Sequence, residues 1–229
     1  MSDTETRDKL VLAAERLFGE RGIDNVSLRE INRAAGQRNV AALHYHFGNR
    51  EALLEAIFER RMAGINRRRV VMLDALEAEG RVDSIHAVVE AMVLPLAEQL
   101  DPAAAGGPYI RFLAQAISDP GVDVGGLVRN KFDQGMVRSR RLARRILDHL
   151  PVEIVDERMT FASAQMVHAL ADKARRRAAG PRARRRGGER PGETVFFVAN
   201  LIDSLTGALS APASPETLAS LDEARRKIA

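Results

Sequence analysis

The chain has 229 residues, 45% of them hydrophobic and 29% charged, so it is long enough to bury a substantial core and has a globular composition. The absence of cysteine excludes disulfides, thiolate metal sites and cysteine nucleophiles. The formal net charge is +4, but residues 173–190 contain nine basic residues and one acidic residue, a local charge of +8 that leaves −4 for the remainder.

Targeting and membrane segments are not expected. The first residues are polar and acidic, without the apolar stretch of a secretory signal. No run approaches the ~18 apolar residues that a membrane-spanning helix needs. We therefore expect a cytoplasmic protein with no membrane partner. Only 4% of the residues are aromatic, and this composition favours helix.

Three short helices are predicted before residue 49. The first has its apolar residues at i, i+3 and i+4 spacing, and Gly22 follows it where a C-cap glycine belongs. Ser27 and Glu30 have the spacing of a capping box, and Gly36 ends the short helix that they begin. The third helix is expected to start at Asn39, a favourable N-cap residue, and to run to about residue 45.

Longer helices are predicted from residue 50 onward. Asn49 is expected to cap a helix from Arg50 into the 70s, and Pro95 is expected to kink the apolar helix around it. Pro151 suits the first turn of a helix that ends near the basic stretch, which has the composition of a linker. Further helices are predicted over 109–117, 127–150 and 193–209, with a short C-terminal helix after them. No segment alternates convincingly like a strand, so the sequence predicts an all-α fold.

Residues 10–47 have the plan of three short helices in which the second and third form a helix-turn-helix. Small side chains at Ala41 and Ala42 would let the reading helix approach base edges closely and pack on thymine methyl groups. Ser27 and the first amides of the second helix could hold a phosphate, because a helix N-terminus attracts anions. Polar side chains able to donate to phosphates or base edges surround the small residues: Gln37, Arg38, His44, Tyr45, His46 and Arg50.

Three segments give the sequence a specific likeness to a known family: LVLAAERLFGERG over 10–22, VSLREINRAAG over 26–36 and LHYHFGNREALL over 43–54. Together they resemble the TetR family of bacterial one-component transcriptional regulators. The resemblance implies a helix-turn-helix DNA-binding domain over 1–49 and a helical effector-binding and dimerisation domain over 50–229. The family's usual turn is one residue shorter, which places an extra residue in the turn when Asn39 is aligned with the usual serine N-cap.

The resemblance also implies roles for individual residues of the DNA-binding domain. Arg29 would lie near a base edge, Tyr45 on the DNA backbone, and Arg50, where the family often has lysine, at a phosphate. His46 and Phe47 would close the small domain's core or its phosphate face. The candidate DNA-binding residues are Ser27, Arg29, Gln37, Arg38, Asn39, Ala41, Ala42, His44, Tyr45, His46 and Arg50.

Methionine and aromatic side chains in the C-terminal part suit an adaptable apolar pocket, although core packing is the simpler explanation for any one of them. A kink at Pro95 could open space beside Met92. His168 is expected to be a hydrogen-bonded core histidine. The candidate effector-binding residues are Met92, Tyr109, Phe112, Phe132, Met136, Phe161 and Met166.

A second apolar set belongs to the helix over 193–209 and could be core or subunit interface: Phe196, Phe197, Leu201 and Leu205. The resemblance implies that the last two long helices pair with their twins in a four-helix dimer contact. Aromatic anchors are common at such contacts, so part of this face is expected to be interface.

These features together predict a homodimeric DNA-binding transcriptional regulator. It is expected to act as a repressor and to be released from a near-palindromic operator by a small apolar or amphipathic effector. No cofactor is expected. No metal is expected either, because His44 and His46 would point about 200° apart on a helix and cannot share an ion.

Two alternatives remain open from the sequence. One is a nucleic-acid or anionic-surface binding protein acting through residues 173–190, although a solvated loop is the favoured interpretation of that segment. The first 61 residues contain ten basic and ten acidic residues, which counts moderately against DNA binding. The other alternative is a helical enzyme, which lacks support because the sequence has no Glu-x-x-His motif, phosphate-binding loop or nucleophile elbow.

Overall fold

The computed structural model describes residues 3–37, 42–179 and 192–228. Within these ranges the chain forms helices and no strand, which confirms the all-α prediction. The N-terminal helices are α1 (Asp3–Arg21), α2 (Leu28–Ala34), α3 (Ala42–Phe47) and α4 (Arg50–Ala78). The others are α5 (Ile85–Ala97), α6 (Gly107–Ser118), α7 (Val124–Val128), α8 (Gln134–Ile146), α9 (Val152–Ala178), α10 (Glu193–Ser210) and α11 (Pro215–Ile228), with 3-10 turns at Glu98–Leu100 and Pro102–Ala104.

Local capping explains where the first helices begin and end. Gly22 and Gly36 follow α1 and α2 with φ of 87° and 71°, the left-handed conformation that glycine adopts without strain. The predicted capping box is present: the Ser27 hydroxyl accepts from the Glu30 amide at 3.3 Å, and the Ser27 amide donates to the Glu30 carboxylate at 2.9 Å. Asn49 caps α4 by accepting from the Ala52 amide at 2.8 Å.

The third helix ends later than the sequence predicts. It continues to Phe47, and the left-handed Gly48 follows it. The predicted N-cap, Asn39, lies outside the described residues, together with Arg38 and Ala41.

The prediction of one helix over 127–150 is wrong. The chain forms α7 and α8 there, separated by a turn in which Asn130 has a φ of 60°. Asp133 stabilises the turn, since its carboxylate accepts from the Asn130 amide at 3.0 Å. Short polar side chains bond locally to the backbone in this way and compete with helical hydrogen bonds.

Pro95 lies near the end of α5, two residues before Ala97, and the predicted kink at this position stays a prediction. The α-helical hydrogen bonding stops at Ala97, and the chain continues as the 3-10 turn Glu98–Leu100.

The core is continuous between the N-terminal and C-terminal parts of the molecule. Phe18 of α1, Phe58 of α4 and Phe112 of α6 are fully buried together. The ring centroid of Phe112 lies 6.2 Å from that of Phe18 and 5.3 Å from that of Phe58. Helix α1 therefore packs on α6 as well as on its own small helices.

A buried ion pair reinforces this junction. Glu15 of α1 is only 1% exposed and accepts from Nε and Nη2 of Arg61 of α4, both at 3.0 Å. Arg61 also donates to the carbonyls of Ala104 and Ala105, at 3.2 and 3.0 Å. The pair thus joins α1, α4 and the segment that precedes α6.

Among the described residues, no single helix is long and apolar enough to cross a membrane. One pair of consecutive helices, 193–210 and 215–227, is long and apolar enough when taken together, but the two helices are bent by 62° relative to each other.

Candidate functional site

The helix-turn-helix is held by an apolar inner side. Ile31 of α2 and Leu43 and Phe47 of α3 are buried in the shared core. Arg29 of α2 and His44 and Tyr45 of α3 are exposed, as a group that contacts DNA must be. Tyr45 is 77% exposed, an unusual state for a large aromatic residue of a folded domain.

Other predicted DNA-contact residues face the protein. Ala42 is buried, and the side chain of His46 is only 6% exposed. The imidazole of His46 lies 3.7 Å from the Asp3 carboxylate and packs edge-on against the ring of Tyr45, with centroids 5.1 Å apart. His46 is therefore in a position to orient Tyr45. Gln37 is half-buried and donates to the Ala35 carbonyl at 3.3 Å.

Arg50 makes contacts that the sequence does not reveal. Its guanidinium donates to the carbonyls of Ile23 at 2.6 Å and Val26 at 2.9 Å, both in the loop between α1 and α2. Its Cζ also lies 5.9 Å from the ring centroid of Phe18. These contacts tie the first turn of α4 to the helix-turn-helix. Contact of Arg50 with phosphate stays a prediction.

The start of α2 already holds a negative group. The Ser27 hydroxyl and amide bond to the Glu30 carboxylate, at 2.8 and 2.9 Å, and Arg21 donates to the same carboxylate at 2.9 Å. The hydrogen bonds from Ser27, supported by Arg21, hold the pKa of Glu30 below its usual range. A phosphate at Ser27 would be repelled by this carboxylate. It would also compete with the Glu30 carboxylate for the Ser27 hydroxyl and amide.

The predicted effector-binding residues differ in burial. Met92, Tyr109, Phe112 and Met166 are buried, and the Tyr109 and Phe112 ring centroids lie 6.1 Å apart. Phe132 and Met136 are half-buried. The first four residues belong to the buried core of the described chain and lie on α5, α6 and α9.

Phe161 lies outside this core. It is 60% exposed and lines a surface groove of about 560 Å³ beside Arg158 and Leu221. On a helix, residues 161 and 166 are about 140° apart, so burial of Met166 turns Phe161 outward. The expectation for His168 is wrong: it is exposed, with its Nε2 3.5 Å from the Ser118 hydroxyl.

The residues predicted for the dimer interface also differ in burial. Leu201 and Leu205 are buried within the chain, where α10 packs on α5 and α9. Phe196 is 71% exposed, and its neighbour Val195 is exposed as well. Phe197 is half-buried, with Lys173 Nζ 5.7 Å from its ring centroid.

Sequence reasoning missed the charged residues of the interior, and Arg69 is one of them. Arg69 of α4 is 2% exposed and contacts the carbonyl of Met92. It stands in a run of three arginines at 67–69, and the run alone gives no sign that one member points inward. In the part of the chain that the structure describes, no cluster of three or more His, Asp or Glu residues could hold a metal ion.

Two family models match the chain over most of its length. Residues 10–57 match the model for bacterial regulatory proteins of the tetR family, and residues 90–216 match the tetracyclin repressor-like C-terminal domain. The chain belongs to the TetR family. The first matched region contains α2 and α3, and the second contains the core region around Met92 and Phe112.

Known relatives agree with this assignment. The HTH-type transcriptional regulator SrpR of Pseudomonas putida is 28% identical over 145 residues, which span 63% of this chain and 61% of SrpR. An HlyIIR mutant protein is 15% identical, with a TM-score of 0.58 over 93% of this chain and 99% of its own. A tetR family transcription regulator from Shewanella sp. PV-4 is 17% identical, with a TM-score of 0.56 over 87% and 97%. These structures share the fold of this TetR-family chain.

Proposed function

We propose that this TetR-family chain is a homodimeric, sequence-specific DNA-binding repressor that a small-molecule effector releases from its operator. The observation that carries the proposal is the helix-turn-helix of α2 and α3. Ile31, Leu43 and Phe47 are buried, whereas the exposed Arg29, His44 and Tyr45 carry donors for phosphates and base edges. The major groove of DNA admits a helix, so α3 is the candidate reading element.

A dimer would require a near-palindromic operator. Two-fold symmetric proteins place two reading helices in half-sites about 34–36 Å apart, or a multiple of that spacing. The name of SrpR, an HTH-type transcriptional regulator, supports the same activity here. Family membership favours a regulator over a helical enzyme.

The shared core provides a route by which an effector acts on DNA binding. Helix α1, which supports α2 and α3, packs directly on α6, and the Glu15–Arg61 pair bridges the same junction. A ligand that binds one arrangement of α6 more tightly than another shifts the population of that arrangement. Movement of α6 would change the spacing of the two reading helices in a dimer.

Selection of bound sequences from random DNA tests this function. The full chain is expected to enrich a near-palindromic sequence, and Arg29→Ala is expected to change the base preference within it. Arg67→Ala is a suitable control because Arg67 is also exposed but lies farther along α4. Failure of the wild-type chain to enrich any sequence would contradict the proposal.

A second candidate is nucleic-acid or anionic-surface binding through residues 173–190, which the local charge of +8 favours. Part of this segment is already engaged in the fold. Lys173 is buried and pairs with Glu193 at 2.8 Å, and Arg177 donates to the Leu100 carbonyl at 2.6 Å. Residues 180–191 lie outside the described residues.

Replacement of residues 180–190 by glycine and serine separates the two candidates while sparing α9 and its contacts. Retained enrichment of one DNA sequence would refute the second candidate. Loss of all nucleic-acid affinity, with the fold intact by circular dichroism, would support it.

A further inference from the structure

Within the described residues, the interior of the C-terminal part contains a guanidinium that lacks a counter-ion. Arg69 is 2% exposed, and its Nη2 donates to the Met92 carbonyl at a long 3.3 Å. Among the described residues, its Nε and Nη1 atoms have no hydrogen-bond partner. Buried polar atoms of native proteins are nearly always paired, so an unpaired cationic group marks a place where a partner is missing.

A second unpaired group lies near this cation. The hydroxyl of Tyr109 is fully buried, also lacks a hydrogen-bond partner in the described ranges, and interacts electrostatically with Arg69. Burial raises the pKa of Tyr109, so its hydroxyl stays protonated and is able to donate. Burial lowers the pKa of Arg69 to about 10, so the guanidinium is still charged at neutral pH.

The other buried charges of the described chain are compensated. Glu15 pairs with Arg61 at 3.0 Å, and Lys173 pairs with Glu193 at 2.8 Å. Arg69 is the remaining buried charge in these ranges, and its one described hydrogen bond is to a neutral carbonyl. As far as the described residues show, the region has one uncompensated positive charge.

Apolar side chains lie beside the two donors, and the Glu15–Arg61 pair also interacts electrostatically with Tyr109. Met92 and Phe112 are fully buried, and the Phe112 ring lies 6.1 Å from that of Tyr109. Such surroundings suit the apolar part of an organic ligand. They disfavour a strongly hydrated inorganic ion, which would lose its hydration shell without gaining enough hydrogen bonds from the protein. A single carboxylate would neutralise Arg69 and would accept hydrogen bonds from both donors.

We propose that Arg69 anchors an anionic effector, an organic monocarboxylate whose apolar part packs on Met92 and Phe112. Its carboxylate accepts from Arg69 and Tyr109. This inference rests on the proposed effector response and narrows the chemical class of the effector from apolar or amphipathic to monoanionic.

The packing around Arg69 links this site to DNA binding. A Cβ atom at Gly135 of α8 would lie 2.9 Å from Cδ of Arg69, so α8 is in direct contact with the arginine. The Gly135 amide donates to Asn66 of α4 at 2.8 Å, which fixes the start of α8 on α4. A ligand that enters beside Arg69 displaces α8 relative to α4, the helix that begins at the helix-turn-helix.

Matched acids and amides test the site directly. The probes are benzoate and hexanoate, with benzamide and hexanamide as uncharged controls, in thermal unfolding and calorimetric titration of the full chain. The acids are expected to raise the melting temperature and the amides are not. Arg69→Met is expected to weaken acid binding more than about tenfold, since it removes a charged hydrogen bond. Arg67→Met, an exposed neighbour on α4, should bind the acids like the wild type.

A second variant guards against a folding artefact. Tyr109→Phe keeps the ring and removes the hydroxyl, so it should fold like the wild type and bind the acids several-fold more weakly. Equal binding of acid and amide, no binding of either acid to the wild-type chain, or unchanged acid affinity in both variants would overturn the proposal. An equal effect of inorganic phosphate would also overturn it.

Operator binding measured in the same samples separates this site from the proposed function. Acid binding by a wild-type chain that selects no DNA sequence would support the site while the regulator proposal fails. Sequence-specific DNA binding without any acid binding would overturn the site and leave the regulator proposal standing.

Discussion

At the scale of single residues, a charged side chain near the DNA-binding helices can serve the fold instead of binding DNA. Tyr45 and Arg50 are both predicted DNA-contact residues. Tyr45 lies in α3, and Arg50, five residues later, is the first residue of α4. Tyr45 projects from the surface, whereas the Arg50 guanidinium is held by the carbonyls of Ile23 and Val26. The first is free to bind DNA, and the second stabilises the loop that orients α2.

Arg50→Lys tests the structural task of Arg50. An ammonium group cannot reach two separate carbonyls as a guanidinium does, so the free energy of unfolding should fall by about 1–3 kcal/mol in urea denaturation. Arg60→Lys serves as the control, because Arg60 makes an exposed ion pair with Asp8 at 3.1 Å. Unchanged stability with weaker DNA binding would instead assign Arg50 to a phosphate.

Tyr45→Ala tests the exposed ring. We expect roughly two- to tenfold weaker binding to matched and mismatched DNA alike, the value of a neutral hydrogen bond to the DNA backbone. The free energy of unfolding should barely change, since the side chain is exposed. A change in base preference, measured by competition between DNA sequences, would contradict a backbone role.

At the scale of elements, the close approach of α1 to α6 joins the two parts of the chain. A Cβ atom at Gly19 would lie 2.8 Å from the Pro108 carbonyl oxygen and 2.9 Å from the Phe112 amide nitrogen. These are backbone atoms, which cannot rotate away as a flexible side chain does. Any larger residue at position 19 must push the two helices apart.

Gly19→Ala is therefore expected to destabilise the chain by about 1–3 kcal/mol and to change operator affinity as α1 shifts on α6. Gly64→Ala is the matched control, because Gly64 lies in α4 with no atom within 4 Å of its would-be Cβ. That control should gain about 0.5–1 kcal/mol from helix propensity. Thermal unfolding of both variants gives the comparison, and equal stabilisation of the two would contradict the close approach.

Elements were predictable from the sequence where capping is local. The starts of α2 and α4 depend on side chains that bond to the backbone three residues on, and such pairs are visible as spacing. The break between α7 and α8 was not predicted, because it depends on the left-handed conformation of Asn130. Apolar periodicity continues through such a turn and hides it.

At the scale of the whole molecule, the exposed apolar residues of α10 have no partner of their own within the described chain. Phe196 and Val195 are largely exposed, whereas Leu201 and Leu205 complete the core. Large exposed apolar side chains that lie together commonly belong to an interface. This arrangement supports the proposed homodimer through the N-terminal half of α10.

Phe196→Asp should then convert the dimer to a monomer in analytical ultracentrifugation, because it places a charge in the interface. Half-operator DNA should still bind weakly. Val137→Asp provides the control, since Val137 of α8 is exposed to a comparable degree outside α10. Identical association states for the two variants and the wild type would exclude Phe196 from the interface.

The sequence by itself determined the all-α class and the helix-turn-helix, because helix caps and apolar periodicity are rules between residues a few positions apart. The family was indicated separately, by the resemblance of three segments within residues 10–54. Only the tertiary structure decided which cations face solvent. Arg50 bonds to a carbonyl 27 residues away and Arg69 to one 23 residues away, and neither distance is encoded in a local pattern. Helix packing brings those groups together, and the free energy of burying charge then decides their roles.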